Sequence, residues 1–204
     1  SPHTGCGTRD RDPHAPVGSS MRSGSTTTLR CVRWYWEVAH DIFQNKGGTA
    51  NATDYTVGLF NQTAVIFAND GISVALQEVF VWDVPDPYGG PDLDSRLNSF
   101  QTQTGSFNGD MAHLLDLGPY GGVAADFATL CVPNPDFRKA YRGIQSSFNN
   151  VPVYSWSVYL VCHEQGHLLG SFHTHACAWN GNNTAIDGCA SPEGQCPTGP
   201  LPTV

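Results

Sequence analysis

Lysine is scarce in this chain: Lys46 and Lys139 are the only two in 204 residues. Lysine and arginine together number 10 against 18 acidic residues, and the formal net charge is -8. Such a chain has no basic footprint for a phosphate backbone, which argues against nucleic acid as its partner. No apolar run is long enough to cross a bilayer, so no membrane span is expected. The opening residues, Ser1 to Gly5, lack the apolar centre of a signal peptide. No two cysteines form a C-x-x-C pair, which removes support for a zinc-ribbon or thioredoxin-like reading. Methionine is limited to Met21 and Met111.

The length fits one domain with a substantial core, and the apolar fraction of 40% is ordinary for a globular protein. Seven cysteines are many for a cytosolic chain of this size and point to an oxidising, extracellular compartment. Their odd number leaves at least one without an intrachain partner. Residues 1–29 carry no hydrophobic period and are rich in Gly, Ser, Thr, Pro, Arg and Asp. They read as a linker or the end of a pro-segment, with the folded domain over 30–204.

The chemistry is concentrated between Cys162 and His175. His163 and His167 stand four apart, so on a helix they share one face and can reach one metal ion. Glu164 follows the first histidine, placed to touch a metal-bound water without being a ligand. Gly170 can end the helix with backbone angles other residues resist, and the chain can then turn back to bring His173 to the same ion. Three protein ligands leave a fourth position open for water, the pattern of a catalytic zinc. H-E-x-x-H alone arises readily by chance. The longer H-E-x-x-H-x-x-G-x-x-H does not.

His163 to His173 resembles the zinc signature of the metzincin metallopeptidases. The stretch from Thr174 to Cys189 is similar to the secreted bacterial branch of the reprolysin (adamalysin-like) peptidases, and weaker likeness runs upstream to about Cys31. The resemblance implies an α+β catalytic domain of three-layer α/β/α type, with a twisted mixed sheet of about five strands. It implies a zinc endopeptidase acting on protein or peptide substrates, with His163, His167 and His173 as ligands and Glu164 as general base. It also implies an edge strand along the substrate cleft, and Gly122, Val123, Ala124 and Ala125 are its candidates. Gly5 to Asp10 loosely resembles a cysteine switch, in which the Cys6 thiolate would take the open zinc position. A disulfide from Cys6 to a cysteine such as Cys31 is the competing reading. The family places a methionine-containing turn downstream of the third histidine. Both methionines here lie upstream, so the domain is expected to be truncated before that turn. A zymogen, a metal-retaining binding or adhesion module, and a different zinc hydrolase on the same helix are the alternatives.

Elsewhere, alternation predicts a half-buried strand over 31–38 with Val32, Trp34, Trp36 and Val38 on one face. Helical spacing predicts a scaffold helix over 54–69. A strand over 72–82 changes phase near Gln77 and Glu78, as a bulge would produce. A short helix follows Leu93. Strands are expected over 111–117 and 123–131, with a short one over 143–147. Ser155 is a candidate N-cap for an active-site helix ending near Leu169. Cys162 reads as a buried thiol or disulfide, His175 as an outer or surface residue, and His40 and His113 as structural or exposed. Residues 179–187, between Cys177 and Cys189, read as a surface loop. Calcium there has few acidic ligands to draw on.

Overall fold

The computed structural model describes residues 31–118 and 121–201. The first strand, β1 (Val32–Val38), is followed by α1 (His40–Lys46), α2 (Thr49–Asn69), β2 (Val74–Val81) and α3 (Leu93–Gln103). Then come β3 (Met111–Asp116), β4 (Gly121–Ala124), a 3-10 turn at Pro135–Arg138, β5 (Lys139–Gly143) and α4 (Trp156–Leu169). The five strands form one sheet in the order β2-β1-β3-β5-β4, parallel throughout except for the antiparallel β4–β5 pair. Helices cover both faces, so this is an α+β domain in three layers.

Strand alternation sorts the core into two halves. Trp34, Trp36 and Val38 of β1 face α2 and α4, where they join Leu59, Phe60, Val158 and Val161. Phe60 and Phe67 meet the Trp34 ring edge-on at 5.5 and 5.4 Å. Tyr35, Ala112, Leu114 and Tyr141 face the other way, toward Leu97 and Phe100 of α3. β1 is therefore buried on both faces from Trp34 onward and not half-buried, as follows for a strand paired on both edges beneath two helical layers. Its buried Glu37 accepts hydrogen bonds from Tyr35, Trp82, Tyr88 and Thr104, which ties the 82–104 segment to the sheet.

The phase change in β2 is a bulge: pairing passes from Trp34–Leu76 to Tyr35–Glu78, leaving Gln77 over. Other boundaries differ from the sequence reading. Helix α1 was not anticipated, and α2 starts at Thr49 instead of 54. Gly47, at φ 77°, closes the first helix and Gly48 opens the second, so the glycine pair is a hinge between helices. The strand expected over 123–131 ends at Ala124. Beyond it, Ala128 and Thr129 donate their N–H groups to the carbonyls of His167 and Leu168 and so cap α4. The strand expected over 143–147 is β5, four residues earlier. It buries Lys139 and Arg142 completely, and charges inside a strand hide it from a pattern search. The Lys139 ammonium is satisfied by the carbonyls of Gln101 and Thr104 and by Asp136 at 2.8 Å.

Candidate metal centre

Helix α4 lies across the sheet, packed against α2, β4 and β5. Ser155 occupies its N-cap position but makes no side-chain capping bond. Val158, Val161 and Leu168 pack into the core, and His163, half-buried, and His167, buried, share another face of the helix. At the other end Gly170 adopts φ 101°, a conformation that favours glycine, and Ser171 donates its N–H back to Gly166 at 2.8 Å. The reversed chain carries His173 to the two helical histidines.

The three Nε2 atoms form a near-equilateral triangle: 3.2 Å for His163–His167, 3.0 Å for His167–His173 and 3.2 Å for His163–His173. The other ring nitrogens settle the tautomers. Nδ1–H of His167 donates to the Ser171 carbonyl at 2.9 Å, and Nδ1–H of His173 donates to the Glu193 carboxylate at 3.0 Å. Their Nε2 atoms then present lone pairs to each other, an arrangement that suits a cation between them. A tetrahedral zinc with nitrogens at about 2.0–2.1 Å would space its ligands about 3.3–3.4 Å apart, so the donor set fits that ion. Burial, helped by the neighbouring His173, holds the His167 imidazole down at about 4, in the neutral form a metal requires. A cleft of about 350 Å³ opens beside the triangle, lined also by Tyr159, Phe172 and Asp187.

Glu164 is fully buried on the side of α4 that meets β4. Gly122 lies so close that a Cβ there would stand 2.5 Å from Glu164 Cγ. Arg142 lies beneath the helix, fully buried, with Nη2 donating to the Val161 carbonyl at 3.3 Å and Nη1 against Nδ1 of His113. Burial lowers the Arg142 guanidinium to about 9, and the charge of Glu164 opposes that fall. The Cys162 thiol is pushed up to about 12 by burial and takes no disulfide among the described residues, which favours a plain thiol over a ligand.

A family model described as metallopeptidase family M12, of reprolysin type, matches residues 28–201. This chain belongs to that family. Among solved structures, the reprolysin-like chain resembles metalloproteinase-II from Bacteroides fragilis at 19% identity and a TM-score of 0.44, over 74% of this chain and 45% of that one. It also resembles a chain in a structure of a chaperone–substrate complex, at 14% identity and a TM-score of 0.49, over 78% of this chain and 29% of that one. It thus spans less than half the length of either. No curated protein matches it.

Within this reprolysin-like domain, Gly122, Val123 and Ala124 lie in β4, the last strand of the sheet. Ala125 follows, donating to the Lys139 carbonyl. Cys6 lies outside the described residues, as do residues 1–29 as a whole. His113 is buried and structural, and His40 is half-buried against the Trp82 carbonyl. The 179–187 loop is not closed by Cys177 and Cys189, because Cys177 pairs with Cys196. Among the described residues, the groups able to hold a metal are His163–His167–His173 and His173–His175–Glu193, with none in that loop. Glu193 was missed: it lies 20 residues beyond His173, and no local spacing links the two. No described helix is long and apolar enough to cross a membrane.

Proposed function

We propose that the chain is a secreted zinc-dependent endopeptidase, with His163, His167 and His173 holding the metal and Glu164 as general base. The observation that carries this is the convergence of three Nε2 atoms within 3.2 Å, two of them fixed as lone-pair donors by hydrogen bonds at Nδ1. A zinc ion there supplies a Lewis acid for the scissile carbonyl and brings the acidity of water to about neutrality. Glu164 takes the proton of the attacking water and returns it to the departing amine nitrogen. Its burial beside Gly122 restricts the carboxylate to a narrow set of positions, so it need not be reoriented for each proton transfer.

Gly122 to Ala125 form the cleft edge in this reading. An extended peptide laid along the last strand passes over Glu164 and the histidines. The Cys177–Cys196 disulfide supports an oxidising, extracellular setting.

The test is zinc analysis together with hydrolysis of an unfolded generic protein. One zinc per chain is expected, with hydrolysis abolished by a chelator and restored by added zinc. Stoichiometric zinc with no hydrolysis of any peptide would favour a metal-retaining binding module. Cleavage of small esters or amides but not peptides would favour another zinc hydrolase.

Gly122→Ala tests the packing of Glu164 against β4. The new methyl group would stand 2.5 Å from Glu164 Cγ and 2.7 Å from Oε1, so the carboxylate must shift. Zinc content should hold while kcat falls by roughly 10²-fold, the scale of a misplacement near 1 Å. Unchanged kcat would show that the carboxylate tolerates displacement.

A further inference from the structure

The coil that delivers His173 is not part of the helix that carries the other two histidines. It is held from the opposite side, by residues 193–196. Cys177 N–H donates to the Glu193 carbonyl at 3.0 Å and Glu193 N–H to the His175 carbonyl at 3.1 Å, which makes a parallel bridge between Ala176 and Glu193. Three residues further on, Cys196 closes its disulfide to Cys177. The Glu193 side chain therefore has a fixed origin. Its carboxylate accepts from Nδ1–H of His173, with both oxygens at 3.0 Å, and one oxygen lies 3.1 Å from Nε2 of His175. The His175 ring stacks on that of His173, centroids 5.0 Å apart and 7° from parallel.

We propose that Glu193 is the positioning residue of the third metal ligand. It fixes the tautomer and ring plane of His173 so that Nε2 faces His163 and His167. This rests on the zinc reading of those three histidines. An unrestrained imidazole exchanges its proton between two nitrogens and rotates about χ2, and only the Nδ1–H form offers Nε2 to a metal. His167 is restrained by the Ser171 carbonyl, which comes with the helix cap. His173 has no helix behind it. Trp179 Nε1 donates to its carbonyl at 2.7 Å, which anchors the backbone and not the ring. The ring is oriented by the carboxylate, and a charged acceptor also makes the imidazole a more basic ligand. His175 supplies a flat support on the far side of the ring.

The experiment measures zinc affinity by competition with a chromophoric chelator, for wild type, Glu193→Ala and Glu193→Gln. The visible spectrum of the cobalt(II) forms and the melting temperature of the zinc-free proteins accompany it. Glu193→Ala should weaken zinc by about 10- to 100-fold and alter the cobalt bands, which report the coordination geometry. Glu193→Gln keeps an oxygen acceptor for Nδ1–H and should recover most of both. The zinc-free melting temperatures should stay close together, because the Glu193 side chain is 40% exposed. Equal zinc affinity in wild type and Glu193→Ala would overturn the assignment. So would a loss that tracks the zinc-free melting temperature and is not rescued by glutamine. Two zinc ions per wild-type chain falling to one in Glu193→Ala would also overturn it, because Glu193 would then be a ligand of a second ion. A wild-type chain that takes up no zinc would refute the metal reading itself, and the positioning role with it.

Discussion

Replacing Glu164 should leave the zinc in place and remove peptide hydrolysis. The choice of variant matters, because Glu164 is fully buried, beside Gly122 and within electrostatic reach of Arg142. Glu164→Ala opens a cavity and also withdraws the negative charge that supports ionisation of Arg142, so some loss of stability is expected with it. Glu164→Gln keeps the volume and removes only the base, which makes it the cleaner comparison. In both variants kcat should drop by about 10²- to 10⁴-fold, the usual contribution of a positioned base. Zinc should remain stoichiometric, since no ligand has been touched. Turnover by the glutamine variant at the wild-type rate would take Glu164 out of the reaction.

His167→Ala should have the opposite signature, with metal and hydrolysis lost together. His167 is the most deeply buried of the three histidines, and its Nε2 lies within 3.2 Å of both others. The Ser171 bond and the lowered pKa hold it ready as a neutral donor. Without it, two imidazoles from different segments remain, one on the helix and one on the coil. The loss of zinc affinity should exceed the roughly 10- to 100-fold that removal of an outer partner costs. Equilibrium dialysis against buffered zinc measures it, and a zinc-free circular dichroism spectrum like that of chelated wild type separates metal loss from unfolding. Stoichiometric zinc in this variant would contradict the ligand set.

The two variants also mark what the sequence made legible. The histidine triangle is readable because its spacing is local: one helix face, one glycine, one return of the chain. The strands with alternating apolar residues were readable for the same reason, down to the bulge at Gln77. What escaped depends on contacts between distant segments. Glu193 reaches His173 only through the bridge at Ala176 and the disulfide beyond it. Lys139 and Arg142 look like loop residues until their partners are known, since a buried charge is tolerable only when such partners exist. Apolar residues over 123–131 suit a strand, but the strand ends at Ala124 because two of the later N–H groups are taken by the end of α4.

The polar layer under α4 has one more effect. Arg142 grips the helix at the Val161 carbonyl, and the Gln165 amide reaches Met111 of β3. An oily interface would let a helix roll by one residue, about 100° at 3.6 residues per turn. Here such a roll would strand each buried polar group, at about 1–3 kcal/mol apiece. The sheet therefore sets the azimuth of the two helical imidazoles through these contacts. On the zinc reading, binding of the ion would call for no rotation of α4.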